Sequence, residues 1–125
     1  MKRDMDLIRD LLLFAEAECD GSRLPDVYEG DFSGYSNEQI YSNVKLIHDR
    51  GLISKVLSTS SSLNIGELTW DGHDFLDSVR DPEIWRQTKE VAKKSGGFTV
   101  SLLGDIAKGL IKTQIKKHTG VEIEQ

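Results

Sequence analysis

The chain holds one cysteine, two prolines and no long hydrophobic run, and each scarcity removes a class of protein. A single thiol, Cys19, cannot form an internal disulfide or build a cysteine zinc site. It falls on the apolar face of the first expected helix, where a free cysteine serves as a small buried hydrophobe. No apolar stretch approaches the roughly 20 residues that a membrane-spanning helix requires. The N-terminus Met-Lys-Arg-Asp-Met-Asp-Leu-Ile-Arg-Asp interrupts every short apolar run with charge, which is not how a signal peptide reads. These features predict a cytoplasmic protein with no membrane association. Motifs for chemistry are also missing: there is no phosphate-binding glycine loop, nucleophile elbow or zincin helix. The reading is therefore of a non-enzyme with no catalytic residue, cofactor, metal or small-molecule substrate.

What is present is a 125-residue chain that is 38% hydrophobic, room for one domain with an appendage. Its net charge of −5 is uneven. Residues 1–50 carry six bases against eleven acids, whereas residues 81–125 carry eight against six. Apolar spacing predicts an amphipathic helix over residues 4–19, with Met5, Ile8, Leu12 and Ala15 on one face and Leu7, Leu11 and Phe14 widening it. Residues 20–35 hold Gly21, Pro25, Gly30 and Gly34 and have no helical period. Leu24, Val27, Tyr28, Phe32 and Tyr35 are expected to supply a short strand and pack that loop. Ser36 caps a second helix, in which Ile40, Val44 and Ile47 point inward, and Gly51 ends it.

Two strands are expected near 52–58 and 63–69, joined by the long and flexible serine-rich tip Ser58-Thr-Ser-Ser-Ser62. Thr69 caps a third helix carrying Phe75, Leu76 and Val79 inward. Asp81-Pro82 restarts the helix, with Ile84, Trp85, Thr88, Val91 and Ala92 on one face and Ser95-Gly96-Gly97 as its stop. A last helix near 100–118 carries Leu103, Ile106, Ala107, Leu110 and Ile111, with Lys108, Lys112 and Lys116 along one edge. Gly104 and Gly109 inside it suggest close packing against another helix, or a helix that orders only with a partner.

The stretch Ile40-Tyr-Ser-Asn-Val-Lys-Leu-Ile-His-Asp-Arg-Gly-Leu-Ile53 resembles the recognition helix and wing entry of small bacterial winged-helix repressors. Ile40, Val44, Ile47, Gly51, Leu52 and Ile53 match the packing positions. Helix, two strands and a new helix at Leu68-Thr-Trp-Asp-Gly then follow in the order of a winged helix-turn-helix. The expected fold is α+β: a winged helix-turn-helix domain over 1–80 with a two-stranded wing, a C-terminal helical extension over 81–120 packed on it, and a flexible tail at 121–125. Nearly the whole chain also resembles a family of small uncharacterised bacterial proteins common in phages and prophages. Met1-Lys-Arg-Asp-Met-Asp-Leu-Ile-Arg9, Gly51-Leu-Ile53, Leu68-Thr-Trp-Asp-Gly-His-Asp-Phe-Leu-Asp77, Arg80-Asp-Pro, Ile84-Trp85 and Gly96-Gly97 carry that resemblance. It implies a phage-associated context and supplies no catalytic residues.

If the helix at 36–50 reads DNA, Asn37, Gln39, Tyr41, Ser42 and Lys45 are its candidate contacts, with Lys55 on the wing. Asparagine and glutamine can pair with adenine edges; the others reach phosphate. The region is acidic overall, so a monomer should hold DNA weakly. Lys108, Lys112, Lys116, Leu110 and Ile111 are the candidate contacts for a protein partner or a homodimer. Asp71-Gly-His-Asp74 with Asp77 is the one dense polar cluster, and its carboxylates are explained by the helix dipole. His48 and His118 read as surface residues. The function expected is non-enzymatic, DNA-associated regulation in a phage or prophage. The alternative is an accessory factor that docks on a host or phage protein.

Overall fold

The computed structural model describes residues 2–120, so the tail expected at 121–125 lies outside the described residues. Among the described residues the architecture is α+β: five helices and a two-stranded antiparallel sheet. The chain divides into a first compact unit ending at Leu76 and a second beginning at Asp77.

The first unit opens with α1, Met5–Glu18. Asp4 caps it by accepting the Leu7 N–H at 3.0 Å. Its buried stripe is Met5, Leu7, Ile8, Leu11, Leu12 and Ala15. A fully buried leucine or isoleucine contributes about 2 kcal/mol, so this face is a principal source of stability. Leu13 is half-buried. Residues 20–35 hold no named strand. Val27–Glu29 forms one 3-10 turn, and Val27 is fully buried. Leu24, Tyr28, Phe32 and Tyr35 are half-buried, and Phe32 meets Phe14 edge-on with ring centroids 5.5 Å apart.

Helix α2, Asn37–Asp49, begins in a capping box. Ser36 Oγ accepts the Gln39 N–H at 3.1 Å, and Gln39 Oε1 accepts the Ser36 N–H at 2.9 Å. Ile40, Val44 and Ile47 are buried as expected, joined by Asn43. Gly51 ends the helix with φ +81°, a conformation that costs a side-chain-bearing residue about 1 kcal/mol or more. Around it Gly51 N–H donates to His48 O and Leu52 N–H to Ile47 O, both at 2.9 Å. That pair of bonds satisfies the last carbonyls of the helix.

The hairpin is formed by β1, Val56–Ser58, and β2, Leu63–Ile65. They pair antiparallel, with Val56 opposite Ile65 and Ser58 opposite Leu63. A bridge between Ile53 and Leu68, with Ser54 N–H to Glu67 O and Gly66 N–H to Lys55 O, continues the same register to the base. This sheet is consistent with a wing. The tip departs from the expectation of a long flexible loop. Thr59 N–H donates to Ser62 O at 2.9 Å, leaving only Ser60 and Ser61 in the turn. Two-residue hairpin turns favour positive φ, yet no described non-glycine residue has it. The Thr59 hydroxyl compensates by accepting the N–H groups of Ser61 and Ser62. On the other side of β2, Ile65 N–H donates to Pro25 O, Asp26 bridges Asn64, and Asn64 Nδ2 donates to Leu24 O. Residues 24–26 thus run beside β2, in the place where a short strand was expected.

Helix α3, Trp70–Val79, starts at Thr69, whose Oγ1 accepts the Gly72 N–H at 3.0 Å. The same hydroxyl donates to Gly51 O at 2.5 Å, and Thr69 N–H donates to Leu52 O at 3.1 Å. Gly72 lies against the Leu52 carbonyl so closely that a Cβ there would collide with the backbone.

In the second unit α4, Pro82–Ser95, is capped by Asp81 and closed at Gly96. Ile84, Trp85, Thr88 and Ala92 are buried, whereas Val91 is 41% exposed and falls off the expected face. Helix α5, Val100–Thr119, is capped by Thr99 and packs on α4, burying Leu103, Gly104 and Ala107. On the surface, hydrogen bonds from Arg86 and then Gln87 hold the Glu83 carboxyl down at about 2. The close helix approach expected at Gly109 is absent: a Cβ there would have nothing within 4 Å.

Two glycine substitutions should therefore act in opposite directions. Gly72→Ala should lower stability by about 1–3 kcal/mol, through a clash with backbone that cannot yield. Gly109→Ala should raise it by about 0.5–1 kcal/mol, through helix propensity alone. Chemical denaturation of the two variants checks both signs.

Candidate interaction surface

The outward side of α2 follows from its inward side. With Ile40, Asn43, Val44 and Ile47 buried, a 3.6-residue period places Glu38, Ser42, Lys45 and Asp49 opposite them. Tyr41, 38% exposed, flanks that face. Asn37 and Lys45 are exposed, and Ser42 is half-buried. Asn37, Tyr41 and Ser42 share an open groove of about 380 Å³ with Tyr28 and Glu38. Three of the six residues selected from sequence for DNA contact thus meet in one place. Gln39 stands apart from that groove, and its amide oxygen is engaged in the capping box. Lys55 is exposed at the base of the hairpin, and Leu57 on β1 is 54% exposed.

Tyr28 was not anticipated as part of this surface, because it lies in the irregular segment nine residues before Asn37. Burial foremost, then Asp26 and Tyr41, pushes its phenol pKa up, so it presents a neutral hydroxyl. Asn43 was also missed. It is buried beneath α2, where Oδ1 accepts the Asp4 N–H at 2.9 Å and Nδ2 donates to Gln39 O at 2.8 Å. Its role is to fasten the start of α1 to the first turn of α2.

A second groove, about 310 Å³, is lined by Phe14, Glu18, Arg23, Pro25, Asp26, Glu29, Gly30 and Asp31. Four carboxylates face one guanidinium there, a lining that repels phosphate. The Asp26 carboxylate is also structural: it accepts the N–H groups of Tyr28 and Leu63, each at 3.0 Å. Cys19 is half-buried and its thiol lies 3.6 Å from Ile65 O. Burial, then Glu67, Asp20 and Glu18, raises its pKa, the reverse of what a reactive thiol needs. Among the described residues no group of three or more His, Cys, Asp and Glu side chains gathers as a metal site. His73 of the Asp71–Asp77 cluster points its Nδ1 to Glu16 Oε2 at 3.9 Å.

In the second unit, Lys108, Lys112 and Lys116 recur every fourth residue along one edge of α5. Lys108 and Lys116 are exposed, and Lys112 is half-buried. Leu110, Ile111 and Ile115 are all half-buried, so the apolar stripe is incompletely covered beyond Ala107.

Residues 2–99 match the family described as hypothetical protein DUF2513. The chain belongs to that family. It is also 34% identical over 121 residues to an uncharacterised protein of Haemophilus influenzae, covering 92% of this chain and 99% of the relative. No solved structure matches the chain. No helix among the described residues is long and apolar enough to cross a membrane.

Removing Asn43 tests the joint beneath this surface. Asn43→Ala should cost about 1–3 kcal/mol, because the Asp4 N–H loses its acceptor. Thermal unfolding measures the loss.

Proposed function

We propose that the first unit is a winged-helix module whose work is binding, and that α2 and the hairpin dock on a protein. The winged-helix reading is supported by chain order: α1, an extended segment beside β2, a 3-10 turn, α2, then an antiparallel hairpin. The three-residue turn stands where a supporting helix usually lies, and β1 and β2 form the wing.

The observation that carries the protein reading is the charge of the outward face of α2. Glu38 and Asp49 outnumber Lys45 there. Phosphate neutralisation by bases supplies essentially all non-specific affinity for DNA, and this face cannot provide it. Exposed Tyr41 and Leu57 add apolar surface of the kind that anchors protein interfaces. Within the phage or prophage setting that the family resemblance implies, the module is an accessory factor acting on a host or phage protein. DNA-associated regulation is the second reading. The lysine edge of α5 favours it, since Lys108, Lys112 and Lys116 are spaced to follow a phosphate backbone.

The test is retention of the full chain on mixed-sequence duplex DNA at low salt, beside nuclease-treated co-purification from the host. The protein should pass through the DNA column, and its partner should survive nuclease. Tyr41→Ala and Leu57→Ala should each reduce partner recovery. Retention that falls steeply with salt, with a slope shallower by about one in Lys45→Ala, would contradict the proposal and place DNA on α2. The same retention weakened only by loss of Lys108 and Lys112 would place DNA on α5.

A further inference from the structure

Trp70 is 82% exposed, in a chain whose other tryptophan, Trp85, is 5% exposed. It opens α3, whose buried stripe is Gly72, Phe75, Leu76 and Val79. Helical spacing places Trp70, His73 and Asp74 together on the opposite side, with Asp71 exposed beside them. His73 stands there with Glu16 beside it, and farther along the helix Arg80 pairs with Asp77 at 2.6 Å. A tryptophan this exposed leaves most of the largest apolar side chain in water, where it is the kind of residue that anchors an interface. Asp71 and Asp74, both exposed, lie within four residues of it on α3.

The second unit carries a surface of opposite character. Ile111 and Ile115 form a half-buried apolar edge on α5, one turn apart. By helical spacing, Lys108 and Lys112 run directly alongside. The charge of the whole chain is divided the same way. Residues 1–76 carry seven bases against fourteen acids, and residues 77–120 carry nine against five.

We propose that Trp70 seats against the Ile111–Ile115 edge of α5 in a second copy of this chain, with Asp71 and Asp74 facing Lys108 and Lys112. Each copy holds both halves of the contact, so two copies related by a two-fold axis would make it twice. The charge complementarity selects a second copy over an unrelated acidic or basic partner. The contact uses α3 and α5, so it does not depend on what α2 and the hairpin bind.

The experiment is sedimentation or light scattering of the full chain across concentration, with two charge-reversed variants at exposed or half-exposed positions. One is Lys108→Glu with Lys112→Glu; the other is Asp71→Lys with Asp74→Lys. The unmodified chain should dimerise, more tightly at low salt, and the emission of Trp70 should shift to the blue as it does. Each reversed variant alone should dimerise about tenfold or more weakly, because like charges then oppose one another. Mixing the two should restore a heterodimer, since both contacts regain opposite charges. An unmodified chain that stays monomeric with Trp70 in water overturns the proposal. A dimer indifferent to both reversals, or variants that do not recover on mixing, overturns it as well.

Discussion

The architecture of the first unit depends on one backbone junction, where α2 ends, the hairpin begins and α3 starts. Leu52 is its centre. Its N–H closes α2 on Ile47 O, its carbonyl accepts the Thr69 N–H, and Gly72 packs against that carbonyl. The Thr69 hydroxyl joins the other side by bonding Gly51 O while it caps α3 through Gly72. These few groups set the angle at which α2 is offered and the line along which the hairpin leaves it. They also explain why two glycines are needed so near each other. Gly51 supplies the positive φ, and Gly72 supplies the space for backbone to meet backbone.

Away from that junction, polar groups satisfied at long range fix how the elements of the apolar core meet. Asn43 ties α1 to α2, and Asp26 ties the 24–26 segment to β2. Both side chains have their oxygen occupied by backbone N–H groups in partly buried surroundings. Such groups cost little when paired and much when orphaned, so they select one arrangement of elements that apolar burial stabilises. The surfaces left over are then simple to describe. The outward face of α2 carries two acids against one base, the groove beside α1 is acidic, and the lysine edge of α5 is basic.

Much of the helical framework was legible because its signals are local. Ser36 with Gln39, Gly51, Thr69, Asp81-Pro82 and the apolar spacing of α1 each act within a few residues. The pairing of residues near 52–58 with residues near 63–69 could be read for the same reason. What escaped was contact between distant residues. Asn43 meets Asp4 across 39 positions and Asp26 meets Leu63 across 37, and nothing in either neighbourhood announces the partner. The serine-rich tip misled because its composition is that of a flexible loop, while the Thr59 hydroxyl organises it as a tight turn. The same limit applies to the candidate surface. Asn37, Tyr41 and Ser42 fall together because one helix carries them, whereas Tyr28 reaches their groove only through the fold. Gln39 looked available for a base edge by residue type, yet its oxygen serves the cap.

Native-state hydrogen exchange of the amides of Leu52 and Thr69 tests the central role of the junction most directly. If the junction holds the unit together, both amides open only with global unfolding and rank with the core of α1 in protection. Exchange of Leu52 and Thr69 at the rate of the Ser60–Ser61 tip, with α1 still protected, would contradict the account.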